Sequence, residues 1–287
     1  MSSILNTIGH TPLIRLRKIE KLFNVKAKLY AKLEYFNPFG SIKDRAALQV
    51  IQDAEKCRKI TNNTVIEATS GNMGIALAAI SRCLGYRSII VMPENMSHAR
   101  IKILRSYGAE LILTSEKFGM QGAVERAIEI AHNGGYFCDQ FNNPSCVKAH
   151  FENTAKEIGT QASSGADFII SGIGSGATIS GIGKYSKDNN NCTSIIGVLP
   201  KAFPHKIQGI GAGFVPSILD TSVIDDVFMV SDNDAFSCCK ILLDCCAIWC
   251  GYSSGAVLKA GVTLAQKQEN VGKSIVMIFA DGGERYI

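Results

Sequence analysis

Three observations on the 287-residue chain predict an α/β fold of parallel-rich sheets flanked by helices. Short, continuously apolar runs of strand length recur along it. A stretch with helical periodicity follows most of them, and turns rich in Gly, Ser and Thr occupy several strand-to-helix junctions. Strands buried on both faces read as unbroken apolar runs, and parallel strands covered by crossover helices have that burial. Ligands of such sheets bind beyond the carboxyl ends of the strands, where those turns lie.

In chain order, a strand at Lys28-Leu29-Tyr30-Ala31-Lys32-Leu33-Glu34 leads to a helix over Arg45–Ile51. Thr64-Val65-Ile66-Glu67-Ala68 precedes a helix through Ile75–Ala79, and Ser88-Ile89-Ile90-Val91-Met92 precedes one around Arg100–Tyr107. Glu110-Leu111-Ile112-Leu113 is followed by a helix at Ala123–Ala131, and later strands are predicted at Asp167–Ile170, Ser194–Val198 and Ser274–Ile278. The length fits two domains or one large α/β unit.

Hydrophobic residues make up 46% and charged residues 19%, which is ample material for a core. The net charge is only +5, with Lys and Arg dispersed, so nucleic acid is not an expected partner. The opening residues lack the basic-then-apolar order of a signal peptide, and no run approaches a membrane span. The expectation is a soluble, cytoplasmic protein with no membrane partner. Ten cysteines then read as reduced thiols. Five of them, Cys238, Cys239, Cys245, Cys246 and Cys250, lack zinc-site spacing and have no nearby His, so no metal is expected there. They read as small buried hydrophobes on a helix.

Four turns carry chemistry. Asn37-Pro38-Phe39-Gly40-Ser41-Ile42-Lys43-Asp44 breaks the backbone between strand and helix, with Ser41 as candidate cap and Lys43 in the first helical turn. A cation is disfavoured at that end of a helix dipole, which suggests an amine held neutral or engaged covalently with a carbonyl. Thr69-Ser70-Gly71-Asn72-Met73-Gly74 brings hydroxyls, an amide and backbone N–H groups to a helix start, a cradle for a carboxylate or phosphate. An ordinary cap needs only one such residue. Gly172-Ile173-Gly174-Ser175-Gly176-Ala177-Thr178 is a second glycine-rich turn. The next strand ends in Val198-Leu199-Pro200 with no acid to hold a ribose, so a single phosphate fits better than a dinucleotide. Cys250-Gly251-Tyr252-Ser253-Ser254-Gly255 opens a further helix.

Taken in order, these motifs resemble the fold-type II pyridoxal-phosphate enzymes of the cysteine synthase and cystathionine β-synthase family. The similarity runs from Ile8-Gly9-His10-Thr11-Pro12-Leu13 through Lys206-Ile207-Gln208-Gly209-Ile210-Gly211-Ala212-Gly213-Phe214 to Gly283-Glu284-Arg285-Tyr286. It implies a two-domain, tryptophan-synthase-β-like architecture: a larger cofactor-binding domain (1–36 and 144–287) and a smaller, mobile substrate-loop domain (37–143). It also implies pyridoxal 5'-phosphate as cofactor and a homodimer. Lys43 then holds the cofactor and acts as general base; Gly174, Ser175, Gly176, Ala177 and Thr178 bind its phosphate; Asn72 bonds the ring hydroxyl. Thr69, Ser70, Asn72, Met73 and Gln140 surround the substrate carboxylate, and Ser253 faces the ring nitrogen. A hydroxyl there makes a weaker electron sink than a carboxylate would, which favours β-elimination to α-aminoacrylate and then β-replacement.

Gln208 and Ala212-Gly213-Phe214 are similar to cysteine synthases (O-acetylserine sulfhydrylases), which implies L-cysteine synthesis from O-acetyl-L-serine and sulfide. Two residues depart from that pattern. Met73 replaces the usual Thr, and Asp281 stands where cysteine synthases carry Ser, either near the ring nitrogen or facing the surface. The departures keep open the same chemistry with another donor or nucleophile: an O-phosphoserine sulfhydrylase, a cystathionine β-synthase, or a cysteine-consuming, sulfide-releasing lyase. The family's acceptance of the serine acetyltransferase C-terminal tail adds a further alternative, a non-catalytic regulatory partner of that enzyme.

Overall fold

The computed structural model describes residues 3–95, 98–162, 165–189 and 192–286. The chain forms two compact units: Lys43–Cys146 with residues 3–8, and Gly9–Ile42 with residues 147–286. These limits differ from those read in the sequence, and residues 3–8 group with the smaller unit. The second crossing runs inside a helix, where no Pro–Gly break marks it.

The strands are β1 (Leu13–Arg15), β2 (Lys28–Leu33), β3 (Thr64–Ala68), β4 (Arg87–Pro93), β5 (Glu110–Thr114), β6 (Tyr136–Phe137), β7 (Phe168–Gly172), β8 (Ser194–Pro200), β9 (Asp226–Val230) and β10 (Ser274–Phe279). The longer helices are α1 (Arg17–Leu22), α2 (Lys43–Lys56), α3 (Asn72–Leu84), α4 (His98–Ser106), α5 (Gly119–His132), α6 (Pro144–Ala149), α7 (Ala155–Gln161), α8 (Ala177–Asp188), α9 (Asp232–Cys246) and α10 (Tyr252–Ala265). A π-helical turn at His150–Thr154 joins α6 to α7. No described helix is long and apolar enough to cross a membrane.

The smaller unit holds a four-stranded, wholly parallel sheet in the order β5-β4-β3-β6. Its strands are apolar on both faces because both are covered. Along β4, Ile89 and Val91 pack with Ala123 and Ala127 of α5, while Ile90 and Met92 pack with Ile75 of α3 and Leu104 of α4. The larger unit holds six strands in the order β1-β2-β10-β7-β8-β9, parallel except for β1. The alternation repeats along β10: Ile275, Met277 and Phe279 join the core on the α9 and α10 side, while Val276 and Ile278 join the one containing Ile158 of α7 and Ile179 of α8. Period-two alternation between two cores is what a doubly covered strand requires.

The larger unit also buries a lysine. Lys32 on β2 is fully enclosed, and its ammonium donates to the Thr11 carbonyl (2.7 Å), Glu157 Oε2 (2.7 Å) and Gln161 Oε1 (2.8 Å). The other oxygen of Glu157 accepts from the His10 N–H at 2.9 Å, so the pair ties the segment before β1 to α7. A buried ion pair tolerates the loss of one partner poorly, because the other charge is left without compensation. Lys32→Met is expected to cost about 3 kcal/mol in urea unfolding, and Lys32→Met combined with Glu157→Gln less than that. Equal losses in the single and double variants would show that the pair does not act as a unit.

Candidate functional site

Each unit presents its candidate residues at the carboxyl ends of parallel strands. In the smaller unit, β3 ends at Ala68 and α3 begins at Asn72, with Gly71 in the cap position offering no side-chain acceptor to the first-turn amides. Thr69 shapes the turn from both sides: its N–H donates to the Val91 carbonyl (3.0 Å), and its hydroxyl oxygen accepts the Gly71 N–H (3.2 Å). Arg100 on α4 donates to the Ser70 carbonyl at 2.6 Å, pinning the loop from outside. Met73 is 1% exposed, so its side chain fills interior space.

Lys43 is the first residue of α2, and α2 packs on α3. Ser41 stands two residues before the helix in an isolated bridge with Asp281, and the N–H of Ile42, the residue before Lys43, donates to the Ala280 carbonyl (2.8 Å).

Gln140 follows β6. The Cys138 N–H donates to the Ile66 carbonyl (2.9 Å), Asp139 turns the chain with φ +50°, and the Gln140 N–H reaches Glu67 Oε2 at 3.2 Å. The other oxygen of Glu67 accepts the Ala68 N–H at 2.9 Å. Glu67, 1% exposed inside the sheet, therefore clamps both segments that carry substrate-loop candidates. Burial pushes its carboxyl up to about 8, offset in part by the two backbone donors and by Lys43, whose charge acts on it. Burial also raises the thiol of Cys138 and pushes that of Cys146 up to about 12, so both stay protonated near neutrality. Lys43, the end of β3 and Gln140 thus act on one buried acid.

In the larger unit, β7 runs into Gly174–Gly176 and then α8. A Cβ on Gly174 would fall 2.1 Å from the Gly209 carbonyl oxygen, and Gly176 has φ +85° with Leu219 2.8 Å from a would-be Cβ. Only glycine fits either position. Ser175, Ala177 and Thr178 are buried, and Gly176 caps α8 without any side-chain acceptor. The Thr178 hydroxyl lies 3.3 Å from His150 Nε2, and His150 Nδ1 lies 2.9 Å from the Thr154 hydroxyl, so the π-helical turn supports the loop.

Ser253 is buried in the first turn of α10, whose cap residue Gly251 donates its N–H to the Asp281 carbonyl at 3.0 Å. The neighbouring Ser254 hydroxyl accepts the Ala280 N–H at 3.2 Å. The start of α10 is thereby tied to the end of β10, beside β7 in the sheet. Asp281 does not face the surface: it is 2% exposed and its carboxylate accepts the Tyr286 hydroxyl.

The cysteine cluster is not uniformly buried. Cys238 and Cys250 are, while Cys239, Cys245 and Cys246 are half-buried, and Cys250 lies beyond the helix in a bridge with Gly282. Three supporting residues were not singled out in the sequence: Glu67, Arg100 and His150. Of these only Glu67 leaves a trace there, as an acid inside an otherwise apolar strand.

Because burial favours the protonated form of Glu67, the folded chain keeps this proton where the unfolded chain has lost it. The contribution to stability therefore declines as pH rises from the unfolded value of 4.5 toward 8, at up to about 1.4 kcal/mol per pH unit. Urea unfolding of wild type and Glu67→Gln between pH 5 and 8 is expected to show this slope in wild type and lose it in the variant. Parallel pH profiles would contradict it.

The family model of the pyridoxal-phosphate dependent enzymes matches residues 4–281. Cysteine synthase 3 of Caenorhabditis elegans is 39% identical over 98% of this chain and 87% of its own length. The crystal structure of a cysteine synthase from Entamoeba histolytica superposes with a TM-score of 0.95 at 38% identity, over all of this chain and 89% of that one. A hydrogen sulfide-producing enzyme from Fusobacterium nucleatum superposes with a TM-score of 0.93 at 36% identity over the whole of both chains. With glycine-walled and uncapped helix starts at its strand ends, and with full-length similarity to cysteine synthases, this chain belongs to the pyridoxal-phosphate-dependent enzyme family.

Proposed function

We propose that the protein makes L-cysteine from O-acetyl-L-serine and sulfide by β-replacement, using pyridoxal phosphate. The observation that carries the reading is the start of α8, where the cap residue Gly176 has no side chain to offer the first-turn amides and two glycines close the loop against Gly209 and Leu219. Such a helix start calls for an anion, and a phosphate monoester fits it. In this reading Gly174, Ser175, Gly176, Ala177 and Thr178 hold that phosphate, Asn72 bonds the ring hydroxyl and Ser253 meets the ring nitrogen. Bound pyridoxal phosphate supplies an electron sink that makes the substrate α-proton acidic and lets the β-substituent leave.

Lys43 provides the covalent link to the cofactor, and its Nζ takes the α-proton once the substrate amine has replaced it. Thr69, Ser70, Asn72 and Gln140 bind the substrate carboxylate, with backbone amides of the first turn of α3 as further donors. Ser253, a hydroxyl, does not hold a proton on the ring nitrogen as a carboxylate would, so loss of the β-substituent is favoured over reprotonation at the α-carbon. Asp281, whose Oδ2 accepts the Tyr286 hydroxyl, is the one other acid weighed for that position. A cytoplasmic homodimer accompanies this reading.

Met73 supports a second reading in which the donor or the nucleophile differs. Its buried thioether offers no hydroxyl to the carboxylate, and one structural relative is a hydrogen sulfide-producing enzyme.

Adding O-acetylserine, O-phosphoserine, serine and cysteine separately to cofactor-loaded protein is expected to shift the visible absorption band to longer wavelength with O-acetylserine, and sulfide should reverse the shift. A response confined to another donor would replace the substrate assignment. Lys43→Ala is expected to lower turnover by about 10²–10⁴-fold, measured as cysteine formed, and unchanged turnover would exclude it as the base. Met73→Thr should move the ratio of kcat/KM values between donors if position 73 helps choose the substrate, and leave it unchanged if it does not.

A further inference from the structure

We propose that Glu67 is a positioning residue for the substrate carboxylate, setting substrate affinity by fixing the backbone at Gln140 and at the end of β3. This rests on the function proposed above and deepens it. The place where the β3 ladder stops explains why an acid stands inside the strand. On one side Glu67 pairs with Ile90, in a register with β4 that runs the full length of β3. On the other side β6 has only two residues, and its register with β3 ends at Ile66 and Phe137. One more backbone bond, from the Cys138 N–H to the Ile66 carbonyl (2.9 Å), closes that ladder. Asp139 then turns the chain with φ +50°, its carbonyl accepting the Asn142 (3.0 Å) and Asn143 (2.9 Å) N–H groups. The N–H of buried Gln140 lies beyond the ladder, and Glu67 Oε2 accepts it at 3.2 Å. A side chain thus takes over where strand pairing has ended.

Glu67 Oε1 accepts the Ala68 N–H at 2.9 Å, one residue before Thr69. The two N–H groups come from segments 73 residues apart, Ala68 leading into the Thr69 turn and Gln140 following β6. Holding both requires an acceptor on each terminal atom of one side chain. A carboxyl meets that requirement ionised or protonated, because its hydroxyl oxygen keeps lone pairs. An amide presents a donor on one of its two atoms, so Gln in this place leaves one buried N–H without an acceptor. Asp keeps both acceptors but is one methylene shorter. The side chains of Thr69 and Gln140 are assigned to the substrate carboxylate, and Glu67 acts through their backbone without touching the substrate. The α-carboxylate is common to O-acetylserine, O-phosphoserine, serine and cysteine. Glu67 therefore raises affinity for all of them alike and does not choose among them, in contrast to the role tested at Met73.

The test compares full-length, cofactor-loaded wild type with Glu67→Gln and Glu67→Asp, two variants so that a folding failure in one leaves the other to report. Amide hydrogen exchange is followed by mass spectrometry. In wild type the Gln140 amide should exchange slowly, and in the variants residues 138–142 should exchange faster while 174–178, in the larger unit, stay unchanged. In Glu67→Gln the KM for O-acetylserine should rise about tenfold with a smaller change in kcat. The KM for sulfide and the content of bound cofactor should be retained. L-alanine carries the carboxylate and amine but no leaving group, and its affinity, read from the visible absorption band, should fall by the same factor. An unchanged KM and L-alanine affinity, or a kcat that falls as far as KM rises with cofactor lost, would overturn the proposal. Rapid exchange of the Gln140 amide in wild type would overturn it even if neither variant folds. No turnover of any donor by wild type would count against the function proposed above, while amide exchange and L-alanine affinity would still decide the role of Glu67.

Discussion

A parallel strand can reach its parallel neighbour only by crossing the face of the sheet, and this constraint organises both units. Each crossover covers a face, so strands such as β4 and β10 carry a continuous apolar run, with alternate residues serving two cores. The same constraint brings the strand ends beside the starts of helices, where first-turn backbone amides are available as donors. In one unit such a turn carries Thr69, Ser70 and Asn72; in the other, Ser175 and Thr178. Polar chemistry is concentrated at these ends because the sheet faces have no room for it.

The interior polar groups show what holding those turns costs. Glu67 gives up a place for an apolar residue in the middle of β3, and burial favours its neutral form. In exchange two backbone N–H groups, from Ala68 and Gln140, are satisfied at the point where the substrate-loop segments meet. Lys32 solves a similar problem with a charged pair, joining the Thr11 carbonyl to α7 through Glu157 and Gln161. His150 links Thr178 to the π-helical turn through its two ring nitrogens. All are buried polar groups with at least one bond supplied by a distant segment.

The doubly covered strands were legible because burial on both faces leaves an unmistakable apolar run, and the glycine-rich turns were legible because Gly174 and Gly176 stand where a Cβ cannot. The edge strands β1, β6 and β9 were not: Leu13–Arg15 and Tyr136–Phe137 are too short to show a period, and Asp226–Val230 is largely exposed. The bridge of Ser41 to Asp281 is a contact between distant segments and leaves no local trace in the sequence. The bonds of Arg100 and His150 depend on tertiary packing that no local pattern encodes. Whether Asp281 faces the surface was not legible for the same reason, and its burial answers that question.

The account stands on Lys43 as the residue that carries the cofactor. Borohydride reduction of protein incubated with pyridoxal phosphate, followed by peptide mapping, tests this most directly, since reduction makes the lysine linkage permanent. The account predicts one stoichiometric phosphopyridoxyl adduct, on the peptide containing Lys43. An adduct on another lysine, or substoichiometric labelling scattered over surface lysines, would contradict it.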